Sequence, residues 1–197
     1  MDPLSRLVDA LRCLPGVGPK SAQRMAFYLL QHQRQRGIHL AASLEAAMTT
    51  IGHCKNCNNY TAEALCTLCK NPKRNTAVIC VVESPADVTA IEQSNAYQGS
   101  YYVLMGKLSP LDGIGPQDIA LDGLEERIKE GHIREIIFAL SPSIEGQTTI
   151  HFIQSQLKSY PLLMSQLAHG IPMGGALEFL DGHTIGSALR NRGEVVD

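Results

Sequence analysis

Four cysteines arranged as two Cys-x2-Cys knuckles constrain this chain more than any other feature of its sequence. Residues 54–57 read Cys-Lys-Asn-Cys, eight residues follow, and Cys66-Thr-Leu-Cys69 closes the segment. Two such knuckles bring four thiolates within reach of one tetrahedral ion. Zinc fits, because it takes sulfur ligands at about 2.3 Å and has no redox chemistry of its own. With Cys54, Cys57, Cys66 and Cys69 all used, no position stays open for water, so the ion is structural, one per chain. The segment has almost no apolar content, and a metal is what would order it. Loss of a ligand is expected to unfold residues 54–75 before the rest. A redox pair or unpaired thiols are the competing readings, and the double knuckle favours the ion. His53 adjoins Cys54 and has poor geometry for replacing a ligand. Cys13 and Cys80 fall in a helix and in an apolar strand, and both are read as core.

Residues 1–16 carry charges inside their apolar stretch and read as an amphipathic helix rather than an export signal. On that reading the six cysteines are expected in a reducing, cytoplasmic compartment, where clustered thiols are more often metal ligands than disulfides. No apolar run approaches the roughly 18–20 residues that span a bilayer, so no membrane is expected as a partner.

On either side of the knuckles the texture differs. Residues 1–53 read as helical throughout, with Leu4, Leu7, Val8 and Leu11, then Ala22, Met25, Ala26, Leu29 and Leu30, then Leu44, Ala47, Met48 and Ile51 at helical spacing. From residue 76 the apolar runs Ala77–Val82, Tyr101–Met105, Ile136–Leu140 and Leu162–Ala168 read as strands. Helical stretches near Ala86–Gln93, Leu121–Glu130, Thr148–Lys158 and Thr184–Arg190 alternate with them. Such alternation predicts a parallel α/β sheet. The expected organisation is a multi-part α/β chain: a helical region at 1–53, a four-cysteine finger at 54–75, a parallel α/β domain at 76–172 and a C-terminal oligomerisation segment at 173–197.

Leu14-Pro-Gly-Val-Gly-Pro-Lys20 joins the first two helices. Gly16 and Gly18 permit a tight turn whose N–H groups point outward at the start of the next helix, where unpaired donors and the helix dipole favour phosphate. Lys20 and Arg24, four apart, share one helical face beside that phosphate. This is a helix-hairpin-helix pattern suited to a DNA backbone of any sequence. It is not a P-loop, because Pro19 stands where a glycine must precede the lysine. Asp112-Gly-Ile-Gly-Pro116 has similar turn chemistry but acidic flanks that repel phosphate. Charge runs the same way: residues 1–75 hold 10 of the 17 Lys+Arg and four acids, a balance of +6, against −8 for the remainder. Such a split suggests that one half meets a polyanion, with a chance fluctuation as the plainer reading.

The glycine turn with its following Ser-Ala-Gln-Arg-Met-Ala, the four cysteines, Cys80-Val-Val-Glu-Ser-Pro-Ala-Asp87, Leu108–Pro116 and Ala168–Gly175 together resemble the RecR family of bacterial recombination mediators. The resemblance covers essentially the whole chain in order. It implies a helix-hairpin-helix region, a C4-type zinc finger and a Toprim domain. It further implies a ring-like homo-oligomer, dimer to tetramer, that binds single- and double-stranded DNA at the nucleoid. That oligomer is implied to act with RecO and RecF to load RecA on gapped or broken DNA.

Toprim enzymes hold Mg²⁺ with a glutamate after one strand and an Asp-x-Asp after a later one, because a hard cation takes oxygen ligands. Here Glu83 fills the first position, but Ser141 and Ser143 stand where the aspartates would align. Glu83 and Glu145 alone should not assemble a two-metal site, so the expectation is a scaffold without catalytic residues. Glu83, Asp87 and Glu145 become candidates for partner contact, with solvated or structural carboxylates as the plainer reading. The alternative function is a Toprim-type metal-dependent DNA phosphotransferase or nuclease; a finger that binds only protein is a third. Leu177–Asp181 has a faint Walker B look, but with no Walker A partner nucleotide hydrolysis is not expected.

Overall fold

The computed structural model describes residues 2–168, 170–172 and 174–191. His169, Met173 and residues 192–197, which belong to the Gly-rich motif and the C-terminal segment named above, lie outside them. The chain divides into two compact units, Met1–Ile51 and Gly52–Asp197.

The first unit is three helices. In α1 (Pro3–Leu11) Asp2 caps the N-terminus, its carboxylate accepting from the N–H groups of Leu4 and Ser5. The chain then turns through residues 12–18, where Gly16 takes φ +76°, a region that β-carbons disfavour. Pro19 opens α2 (Pro19–His32) at the position where a missing N–H costs nothing. Ala22 and Ala26 are fully buried on its inner face. Gln33 breaks the helix, and α3 (Arg34–Thr50) follows with no buried residue. Ile38, Leu44, Met48 and Ile51 are exposed. Cys13 corrects the expectation of a core thiol. It is exposed, because α1 ends at Leu11 and Cys13 already lies in the turn that Pro15 and Gly16 impose.

The second unit begins with a short antiparallel pair, β1 (Gly52–His53) and β2 (Tyr60–Thr61), and the one-turn helix α4 (Thr67–Lys70). A four-stranded parallel sheet follows in the order β4-β3-β5-β6. Its strands are β3 (Asn75–Val82), β4 (Gly99–Val103), β5 (Glu135–Ala139) and β6 (Leu163–Gln166). The helices between them are α5 (Pro85–Ser94), α6 (Asp122–Lys129) and α7 (Ile144–Gln156), and α8 (Gly182–Arg190) comes last. Helices cover both faces, which is why the central strands are continuous apolar runs. Ile79, Val81, Ile136 and Phe138 pack against Leu124, Ile128, Ile150 and Ile153 on one side. Cys80, Val82, Tyr101 and Val103 pack against Val88 and Ile91 on the other. Cys80 is core, as expected.

Each expected strand and helix of this unit is present within a few residues. The largest shift is α7, which starts four residues early because the Ser143 hydroxyl accepts from the Gly146 N–H at 3.1 Å and caps it. Among the described residues no helix is long and apolar enough to cross a membrane.

Candidate functional site

The sulfur atoms of Cys54, Cys57, Cys66 and Cys69 all lie within 4.8 Å of one another. A tetrahedron with zinc–sulfur bonds of about 2.3 Å has edges of about 3.8 Å, so the donor set and its size fit a zinc ion. Local backbone geometry builds the knuckles. Asn58 takes φ +60°, closing the turn in which its N–H donates to the Cys54 carbonyl at 2.9 Å. The Cys66 N–H donates to the Cys54 sulfur at 3.3 Å. Burial opposes charge on Cys54, but N–H groups of Cys66, Cys57 and Asn56 directed at its sulfur prevail and bring it down to about 7. Cys57 is pushed the other way by its hydrogen bond to Cys69 and by burial. Four thiolates so crowded are stable together only around a cation. The His53 ring turns instead to the Asn58 carbonyl, 3.1 Å away, and packs on Tyr60.

The knuckle is fastened to the sheet. The Val103 N–H donates to the Cys57 carbonyl at 2.9 Å, and the Asn58 side-chain amide donates to the Val103 carbonyl at 2.8 Å. Arg127, buried on α6, donates to the carbonyls of Asn56 and Tyr101 and to the Ser100 hydroxyl. Leu68 of α4 packs against both the cysteine cluster and the sheet core. Sequence reading missed Arg127. Its signal was an arginine at helical spacing on the same face as Leu124 and Ile128, both fully buried or nearly so.

In the hairpin, Lys20 and Arg24 project from α2 on the side opposite the buried alanines, and both are exposed. No side chain caps α2, in contrast with α1 and α8, which aspartates cap. The first-turn N–H groups behind Gly18 are therefore not taken by a side chain. At the acidic counterpart, Asp112 accepts from the Ser109 hydroxyl and Asp118 from the Gly115 N–H. Both carboxylates close their own turn.

Glu83 and Glu145 meet in one polar cluster at the ends of β3 and β5; Asp87 is engaged elsewhere. One Glu83 oxygen accepts from both the N–H and the hydroxyl of Ser141, each at 2.6 Å. The Ser141 hydroxyl lies 3.3 Å from that of Ser143, which accepts from the Lys107 ammonium at 3.3 Å. Lys107 in turn pairs with Glu145 at 3.8 Å. The backbone N–H at Glu145, the Ser143 hydroxyl and the Lys107 charge hold the Glu145 carboxyl below its ordinary value. Gly146 permits this packing, since a β-carbon there would collide with the Ser141 carbonyl oxygen. An ammonium thus sits among the groups that would otherwise draw a divalent cation. The Asp87 carboxylate accepts from the N–H and the hydroxyl of Ser84, capping α5.

A helical hairpin unit, a four-cysteine finger and a parallel Toprim sheet define a zinc-finger Toprim protein of the nucleic-acid-handling kind. Family models match the chain in the same order: the RecR helix-hairpin-helix over residues 4–48, the RecR four-cysteine zinc finger domain over 51–71, the Toprim domain over 77–168 and the RecR C-terminal region over 170–192. Recombination protein RecR of Legionella pneumophila strain Corby is 69% identical over 192 residues, covering 98% of each chain. The relative from strain Philadelphia 1 is equally identical over 98% of this chain and 96% of its own. The chain belongs to the RecR family.

Proposed function

We propose that this protein is a non-catalytic DNA-binding mediator of recombinational repair. It grips the phosphate backbone of single- and double-stranded DNA without reading sequence. The observation that carries this reading is the uncapped start of α2, with Lys20 and Arg24 beside it on an exposed face. Gly16 and Gly18 let the turn approach a phosphate, the first-turn N–H groups donate to it, and the two cations supply charge. Phosphate contacts position a protein on DNA but carry no base information.

The Toprim sheet serves in this account as scaffold and partner surface. Lys107 occupies the carboxylate cluster with its own positive charge, and the two serines offer neutral hydroxyls. That environment disfavours the metal-dependent phosphotransferase or nuclease reading. Glu83 and Glu145 are the acids proposed to face RecO, with RecF as a further partner and RecA loading as the outcome; Asp87 contributes chiefly by capping α5. Cys54, Cys57, Cys66 and Cys69 hold one structural zinc ion, which fixes the finger and supplies no chemistry to DNA. The place of work is the cytoplasm, at the nucleoid.

One hairpin makes few phosphate contacts, and several hairpins in one assembly raise avidity without any new contact. The exposed Ile38, Leu44, Met48 and Ile51 of the helical unit support such a homo-oligomer, of the ring type found in the family. Large apolar side chains left exposed along one helix are surface that association would cover. The test is salt-dependent binding to two duplexes of unrelated sequence. Their dissociation constants should agree within about twofold and weaken steeply and in parallel with salt. A strong sequence preference, or affinity indifferent to salt, would refute a backbone grip.

A further inference from the structure

The hairpin helix carries more than its two cations. Lys20, Arg24, Tyr28 and His32 follow one another on α2 at intervals of four residues. Residues so spaced lie one above the other on a helix surface, and twelve residues at 1.5 Å rise make a row about 18 Å long. The row starts opposite the buried Ala22 and Ala26. Tyr28 is 53% exposed, and its hydroxyl has no hydrogen bond among the described residues. Its ring neighbours His32, with centroids 5.6 Å apart and planes at 52°. Lys20, Gln23, Arg24, Phe27, Tyr28 and His32 line a shallow groove of about 360 Å³ along this face.

Two cations followed in line by two exposed rings combine an electrostatic track with a stacking platform. That pairing suits single strands, whose bases have open π-faces. Bases inside a duplex are already stacked and cannot use it. We propose that Tyr28, flanked by His32, is a base-stacking site for single-stranded DNA, placed one turn beyond Arg24. It would make the protein favour single-stranded stretches over duplex although every phosphate looks alike to Lys20 and Arg24. The occupant argued here is single-stranded DNA rather than a second copy of the chain, because the row is cationic and the complementary ligand is a polyanion. The proposal rests on the DNA-binding role of the hairpin.

The experiment compares the full-length protein with Tyr28→Ala and Tyr28→Phe variants, binding labelled oligothymidylate and a labelled duplex over a salt series. Tyr28→Ala should weaken oligothymidylate binding by roughly 5- to 150-fold, the usual range for a lost base–aromatic stack. Duplex binding should stay within about twofold and Tyr28→Phe should bind like wild type. The salt slope on oligothymidylate should not change, since no phosphate contact is removed. Because the chain has no tryptophan, a Tyr28→Trp variant gives a second readout, with fluorescence quenched by oligothymidylate and not by duplex. Wild-type oligothymidylate affinity in Tyr28→Ala, equal weakening on both DNAs, or a changed mass in solution would overturn the stacking site; the last would make this face a contact between copies. A Lys20→Ala, Arg24→Ala variant with the wild-type slope would instead remove the hairpin itself, so the two failures are distinguishable.

Discussion

Stripping the metal, or replacing Cys57 with Ser, should loosen more than the finger. The wild-type protein should carry close to one zinc per chain. Without it residues 52–71 have no apolar core of their own beyond Leu68, and structural zinc supplies on the order of 10 kcal/mol to finger folding in peptides. The finger does not hang free. Its loss removes the Val103–Cys57 and Asn58–Val103 hydrogen bonds and the Asn56 carbonyl that Arg127 uses. Those three together are worth about 2–5 kcal/mol. At roughly 2–4 °C per kcal/mol for a unit of this size, the sheet should melt some 4–20 °C lower. In hydrogen exchange, amides of residues 52–71 should open first and those of β4 next, with β5 and β3 last. A metal-free, reduced protein that keeps full protection over 52–71 would show that the thiols need no ion.

The second large effect concerns DNA. Replacing Lys20 and Arg24 together with Ala should weaken binding by roughly 10²- to 10⁴-fold at low salt, from two charge-assisted contacts of about 1.5–3 kcal/mol each. Unrelated sequences should suffer alike. The salt slope should drop by about 1.4–1.8 per protomer in contact, at 0.7–0.9 for each phosphate released. The rival cations in residues 1–75 are Arg34, Arg36, Lys73 and Arg74. Arg74 is withdrawn from that role by its own packing. It pairs with Glu92, donates to the Gly99 carbonyl at 2.9 Å and lies over the Tyr101 ring. A double variant that keeps its fold, mass and wild-type slope would hand the site to Arg34, Arg36 and Lys73.

What the sequence made legible follows from the range of the interactions involved. The strands were readable because a parallel sheet covered on both faces needs uninterrupted runs such as Ala77–Val82. The cysteine cluster was readable because its ligands lie within 16 residues of one another. The break at Gln33 was not, since no glycine or proline marks it and only the backbone at φ −137° shows that α2 and α3 are separate. Lys107 was missed because it reaches a serine 36 positions away, a pairing the sheet creates and no local pattern announces. Arg127 was missed for the same reason, its partner Asn56 being 71 positions away. Asp87 was singled out as a possible contact residue, yet Ser84, three residues before it, is already the signature of a capping box.

A mediator of the proposed kind holds DNA and leaves it chemically unchanged. The decisive experiment incubates the full-length protein with end-labelled gapped DNA and Mg²⁺ and separates the DNA under both native and denaturing conditions. Retarded complexes are expected under native conditions and strands of unaltered length after denaturation, with Glu83→Gln identical to wild type on the denaturing gel. Metal-dependent cleavage or joining that Glu83→Gln abolishes would contradict the proposed function.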